Sequence, residues 1–235
     1  MTDRRALVLT HEFDGGGCLV SERLRQRGFD VDEHLICPDY HRPNEAVPFP
    51  DLDGYDVLVV MGSVRSLTRK DEIDTWIHEE LDLIRDTHCQ GTPIFGVCFG
   101  GQLIAEAMGG SVEIAPVTEI GWREIDCGDN PIGTGPWMEW HHDRFHPPPE
   151  AEVLAENENA VQLIRIGRSV GTQFHPEVDF AQIKGWLELA EDDYLAEYGL
   201  TREQILDDAR IHEDANRDQC FALVDWFIDE VVGPT

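Results

Sequence analysis

Pro93-Ile94-Phe95-Gly96-Val97-Cys98-Phe99-Gly100-Gly101-Gln102-Leu103-Ile104-Ala105 begins as an apolar run of strand type and ends as the first turn of a helix. Between the two sits a cysteine bracketed by glycines, Gly96-x-Cys98-x-Gly100-x-Gln102. A strand that turns sharply into a helix strains the backbone at the turn, and only small neighbours leave room for it. Serine hydrolases use this arrangement as a nucleophile elbow. The turn lifts the side chain clear of the sheet and aims it at the helix N-terminus, where the dipole and free N–H groups favour a thiolate. Cys98 is therefore read as a nucleophile, against the plainer reading of a small buried hydrophobe.

A cysteine nucleophile needs a base, and the base needs a carboxylate to fix its tautomer and orientation. Gly171-Thr172-Gln173-Phe174-His175-Pro176-Glu177 carries both. His175 and Glu177, two residues apart, share one side of an extended segment, and Pro176 puts that segment at a strand end. Their distance in sequence from Cys98 is no obstacle, because such groups meet in space.

Gly96-Val97-Cys98-Phe99-Gly100-Gly101-Gln102 together with Gln173-Phe174-His175-Pro176-Glu177 resembles the class I (triad) glutamine amidotransferase family, in order and spacing across residues 55–187. Within it the chain is similar to stand-alone proteins like the glutaminase domain of GMP synthase. The resemblance implies an α/β, flavodoxin-like three-layer sandwich: a central, mostly parallel sheet with an antiparallel extension and helices on both faces. It implies a Cys98–His175–Glu177 triad that hydrolyses the glutamine side-chain amide through a thioester. It also implies an oxyanion hole from backbone N–H groups at Ser63 and Phe99. Gly62 and Ser63 stand where the family has two glycines, and Val64 where it has proline. Substrate contacts are implied at Gly62, Gly100, Gln102, Trp140 and His141. Trp140-His141-His142-Asp143 takes the place of a Ser-His-Gly-Asp-type loop whose backbone seats the glutamine α-amino and carboxylate groups. No metal or organic cofactor is implied. The chain shows no ATP-pyrophosphatase or synthase signature, so the expected partners are L-glutamine or a γ-glutamyl compound and a separate ammonia-accepting synthase. Two alternatives stand: a γ-glutamyl hydrolase or peptidase acting on other γ-glutamyl amides, and a non-catalytic regulatory relative.

The 235 residues hold 47 acids against 18 bases, a net charge of −29. Such a charge argues against nucleic acid or an anionic membrane as partner. It fits either a solvated acidic surface or a high-salt cytoplasm. Six cysteines show no CxxC pairing, which suggests neither a zinc site nor a disulfide framework. No apolar run is long enough to span a bilayer, and the apolar stretch after Met1-Thr2-Asp3-Arg4-Arg5 is too short for a signal peptide, so a cytoplasmic location is expected.

Along the chain, Ala6–Leu9 reads as a buried strand, followed by His11-Glu12-Phe13-Asp14-Gly15-Gly16-Gly17 as a turn into a helix ending near Gly28. That glycine run is either a phosphate cradle or an ordinary strand–helix connection, and it lacks a dinucleotide fingerprint. His11 and Glu12 come under suspicion of approaching the site. Val31–Ile36 and Val57–Met61 read as strands, the second buried on both faces as in a parallel sheet. Thr68-x-x-Asp71 predicts a capping box opening a helix near Asp71, with Ile73, Trp76, Ile77, Leu81 and Ile84 on its apolar face. A short helix over Gln102–Met108 ends at Gly109-Gly110. Alternating segments from Ser111 to Ile166 predict antiparallel strands extending the sheet. The cluster of His141, His142 and Asp143 invites a metal, but adjacent histidines seldom share one ion. Phe180, Ile183, Leu187 and Ala190 predict a helix lying back on the sheet, and Thr201-x-x-Gln204 caps another. The expected organisation is a catalytic domain over 1–190, with 191–235 a helical extension packed on it. Phe221, Val224, Phe227, Ile228 and Val231 form its apolar stripe, either a packing face or a docking surface.

Overall fold

A computed structural model describes residues 4–128 and 132–233. The first residues of the Met1–Arg5 start lie outside that range. Nine strands and six α-helices are described: β1 Arg4–Thr10, α1 Cys18–Gln26, β2 Phe29–Leu35, β3 Val57–Val60, α2 Ile77–Cys89, β4 Ile94–Val97, α3 Phe99–Ala107, β5 Ser111–Arg123, β6 Trp137–His146, β7 Glu152–Glu156, β8 Val161–Ile166, β9 Ser169–Thr172, α4 Phe180–Leu189, α5 Asp192–Glu197 and α6 Arg202–Trp226. The main sheet runs in the order β2-β1-β3-β4-β9-β8-β7. Its first five strands are parallel, and β8 and β7 add an antiparallel edge.

Strand periodicity sorts the core into two layers. Ala6, Val8, Val57, Val59 and Phe95 face α1 and the C-terminal half of α6. Leu7, Leu9, Leu58, Val60 and Ile94 face α2 and α3 on the other side. This is the doubly covered sheet that continuous apolar strands require, and the α/β, mostly parallel three-layer arrangement is as expected. The central strands end together at their carboxyl edge, where open α/β sheets bind ligands.

Four local expectations are corrected. Thr68 and Asp71 make no capping box. Ser66 caps a 3₁₀ turn over Leu67–Glu72 by accepting from the Thr68 N–H, and α2 opens only at Ile77. Ile73 and Trp76 are buried in the link, so the apolar pattern is right although the start is late. The strands expected to extend the sheet divide. β7 and β8 join it, whereas β5 and β6 leave it to pair with each other in a separate two-stranded ribbon. Helix α4 does not lie on the main sheet. Ile183 and Leu187 pack with Ile120 and Met138 of that ribbon and with Ile205 and Ala209 of α6. Finally, Trp140-His141-His142-Asp143 is not a loop but the middle of β6. It faces a bulge in β5, where the register jumps from Ile114–Asp143 to Glu119–His141.

The described residues after 190 form α5 and α6, joined by a short turn, and end in a further helical turn. Thr201 and Gln204 form the reciprocal capping box expected of them. Val224, Phe227, Ile228 and Val231 are buried against the sheet, the last three in a π-helical turn over Phe227–Val232. Phe221 is only partly buried at the edge of that cluster.

Candidate active site

β4 delivers Cys98 to the edge of the sheet and α3 begins at the next residue. Cys98 has φ 51° and ψ −103°, a left-handed backbone that costs a non-glycine residue of the order of 1–3 kcal/mol. The neighbouring glycines make it attainable. A Cβ at Gly96 would lie 2.5 Å from the Gly100 carbonyl oxygen, at Gly100 2.0 Å from that of Val60, and at Gly101 2.3 Å from that of Thr172. These glycines let α3 sit directly on β3, β4 and β9. Gly100, read as a substrate contact, is therefore placed in the α3–β3 packing and is not among the residues lining the cleft.

The chain leaves β9 at Thr172 and turns back at His175, whose N–H donates to the Met138 carbonyl of the ribbon. This pins the imidazole beside Cys98. His175 Nδ1 lies 2.8 Å from Glu177 Oε1, with both side chains buried. The ring packs edge-on against Trp186 of α4, 4.9 Å between centroids. Burial pushes the His175 pKa down, but the charges of Glu177 and the Cys98 sulfur outweigh it and leave the pKa well above 6.5. Glu177 Oε2 has no hydrogen-bond partner among the described residues. The three groups stand in the order that nucleophile, base and orienting carboxylate need.

Around them lies a cleft of about 610 Å³. Gly62 and Ser63 at the end of β3 line it, as does Phe99. A Cβ on Gly62 would stand 3.1 Å from His175 Cε1 and 3.8 Å from Cys98 Cβ, which explains glycine there. Ser63 is not among the residues with positive φ, so this turn does not call for a second glycine. Its hydroxyl instead ties the turn down, donating to Glu12 Oε1 at 3.0 Å and accepting from the Arg65 N–H at 3.0 Å. The Ser63 and Phe99 N–H groups make no hydrogen bond among the described residues.

Gln102 is buried at the cleft wall, with its amide nitrogen 3.3 Å from the Asp143 carbonyl and 3.4 Å from Gln173 Oε1. Trp140 lines the cleft and donates its indole N–H to the Tyr194 hydroxyl at 3.0 Å. The His141 ring turns inward: Nε2 lies 3.3 Å from Glu119 and 3.2 Å from Glu139, and Nδ1 lies 2.9 Å from the Asp143 carbonyl. Burial opposes its charge, but the two carboxylates prevail and its pKa is pushed up to about 10.

Several residues at the site had no role in the sequence reading. The Gln173 amide lies 3.6 Å from Cys98 Sγ. Ser66 Oγ bonds Asp143 Oδ2. Trp186, Leu189 and Tyr194, from α4 and α5, add an apolar wall. Chain proximity to His175 is the one signal that could have singled out Gln173. Tyr194 lies 19 residues beyond His175 and carries no such signal. Glu12, suspected on position alone, does line the cleft. No grouping of three His, Cys, Asp or Glu able to hold a metal occurs among the described residues.

The sequence model of the class-I glutamine amidotransferase family matches residues 19–185. A putative glutamine amidotransferase-like protein of Salmonella typhimurium, YfeJ, is 30% identical over 206 residues, 80% of this chain and 82% of that one. The glutamine-hydrolyzing GMP synthase of Thermus thermophilus is 34% identical over 155 residues, 59% of this chain but 30% of its own. The chain thus spans less than a third of the length of that synthase. Among solved structures, a glutamine amidotransferase from Thermotoga maritima superposes with a TM-score of 0.83 at 22% identity, covering 98% of this chain and all of that one. A glutamine amidotransferase from Methylobacillus flagellatus gives 0.80 at 21%, covering all of this chain and 98% of that one. At such identities the superpositions speak for the fold.

Proposed function

The chain belongs to the class-I glutamine amidotransferase family, and from that premise we propose that it hydrolyses the glutamine side-chain amide to glutamate and ammonia. The observation that carries this reading is Cys98 on a strained strand–helix turn, beside a glycine that also borders a buried His175, which Glu177 holds through Nδ1. His175 takes the thiol proton, and the sulfur attacks the amide carbon. The Ser63 and Phe99 N–H groups receive the oxyanion. His175 returns the proton to the departing ammonia, and water attacking the thioester then releases glutamate and restores the thiol. Residues 1–190 would form the catalytic unit, with 191–235 completing its wall. The ammonia would pass to a synthase on another chain, as the likeness to part of the GMP synthases suggests.

A second reading, a γ-glutamyl hydrolase with a larger leaving amine, has one observation in its favour. The cleft's 610 Å³ falls in the ~300–1,000 Å³ range of sites for drug-sized ligands, and Trp140, Trp186, Leu189 and Tyr194 line it. Glutamate release separates the two. Activity on L-glutamine that vanishes in Cys98→Ala supports the first; silence on glutamine with turnover of γ-glutamyl anilides supports the second. No turnover of either, with no labelling of Cys98 by a glutamine-like electrophile, overturns both.

A further inference from the structure

His11 sits at the end of β1 with no exposed surface, in a stretch to which neither motif assigns a role. Its Nδ1 lies 3.1 Å from the Gly62 carbonyl oxygen, and its Nε2 lies 3.0 and 3.2 Å from the two carboxylate oxygens of Glu80 on α2. Glu80 is likewise fully buried. A carbonyl can only accept, so Nδ1 carries a proton and points it at Gly62. The same ring packs edge-on against Phe99, 4.9 Å between centroids.

The consequence lies in the Gly62–Ser63 peptide. That peptide is trans. In a planar trans peptide, C=O and N–H point in opposite directions. Holding the Gly62 oxygen towards His11 therefore turns the Ser63 N–H the other way, and that N–H has no partner among the described residues. Gly62 borders Cys98 and His175, so the freed donor belongs to the wall around the sulfur. We propose that His11, anchored by Glu80, is a positioning residue that sets the oxyanion hole, fixing the Gly62–Ser63 peptide through its carbonyl and bracing Phe99 through its ring. The inference rests on the amide hydrolysis proposed above. It also explains how a Gly-Ser-Val turn does the work of the family's Gly-Gly-Pro. Side chains from β1, α2 and Glu12 hold the peptide that glycine and proline geometry would otherwise set.

The test pairs two variants. His11→Leu keeps bulk and removes the donor, whereas His11→Asn puts an amide N–H near the place of Nδ1. With the substrate that the wild type turns over, His11→Leu lowers kcat about 10²-fold at nearly constant KM, the lower end of the loss for one oxyanion donor. His11→Asn recovers to within about tenfold of wild type, on the same scale. Alkylation of Cys98 by iodoacetamide proceeds at the wild-type rate in both, because displacement of iodide at a saturated carbon develops no oxyanion. That rate also reports an intact elbow. A second measurement needs no variant: in ¹⁵N,¹³C-labelled wild type, the His11 Nδ1 proton shows a through-hydrogen-bond coupling to the Gly62 carbonyl carbon. Unchanged kcat in His11→Leu, no rescue by asparagine, or an unprotonated Nδ1 overturns the inference while leaving the proposed function standing. A wild type that turns over no γ-glutamyl amide and whose Cys98 is not labelled by a glutamine-like electrophile overturns both.

Discussion

Glu177 meets His175 Nδ1 through a 2.8 Å contact made inside the protein, and this is where the proposed chemistry is most exposed to a single atom. A glutamine at 177 keeps the volume but can present an N–H to Nδ1, which turns the imidazole so that Nε2 no longer accepts a proton in the right sense. Glu177→Gln is expected to lower kcat about 10²- to 10⁴-fold, by analogy with the orienting carboxylate of other triads. Glutamate release measures it, and a loss below tenfold would remove Glu177 from the machinery. Gly100 makes a different residue-scale prediction. Because a Cβ there would lie 2.0 Å from the Val60 oxygen, α3 and β3 must separate in Gly100→Ala. The expected cost is about 1–3 kcal/mol or somewhat more, read as a lower urea midpoint at unchanged slope. The grouping of Cys98, His175 and Glu177 was legible because small residues around a cysteine and a His-Pro-Glu run leave a compact signature. The placements of Gln173, of His11 and of the Ser66–Asp143 contact were not, since each depends on a partner distant in sequence.

At the scale of elements, the strands of the main sheet could be read directly: Val57–Val60 and Ile94–Val97 are apolar throughout because both faces are covered. Alternation in β5 and β6 announced antiparallel pairing but not the partner, and the pair forms its own ribbon. The helix α4 misled for a related reason: an apolar stripe states that a face is buried, never against what. Inside the ribbon, Glu119, Glu139 and His141 form a buried charged group whose protonation crosses an accessible pH range. His141 has a folded-state pKa of about 10 against 6.5 for the free side chain. A raised pKa means that the folded chain binds the extra proton between those values. Its stabilisation is complete below pH 6.5 and is lost as pH rises through 10. The expected slope from this group is at most about −1.4 kcal/mol per pH unit. Thermal melts from pH 6.5 to 10 should show Tm falling, and His141→Gln should flatten that fall while lowering Tm near neutral pH. A variant with the wild-type slope would show that another group titrates instead.

Across the whole molecule, 47 acids stand against 18 bases, and the balance of −29 gives far more carboxylates than cations to pair with them. Two opposing effects set the response to salt. Partly exposed ion pairs such as Arg23–Asp225 and Arg27–Asp229 weaken when screened, but exposed pairs contribute about 0–1 kcal/mol each. Repulsion among the excess acids is long-ranged and is also screened, the Debye length shrinking from about 10 Å at 0.1 M to about 3 Å at 1 M. With the acids in such excess, relief of repulsion outweighs loss of pairs, so the folded state gains. Raising KCl from 0.1 to 1 M at neutral pH is expected to raise Tm by more than sucrose of the same osmolality does. In mild acid, where fewer carboxylates are charged, the responses to salt and sugar should converge. For a chain of this length each kcal/mol gained moves Tm by about 2–4 °C, so the effect is within reach of calorimetry. A Tm that falls with KCl would mean that local pairs, not net charge, govern the surface.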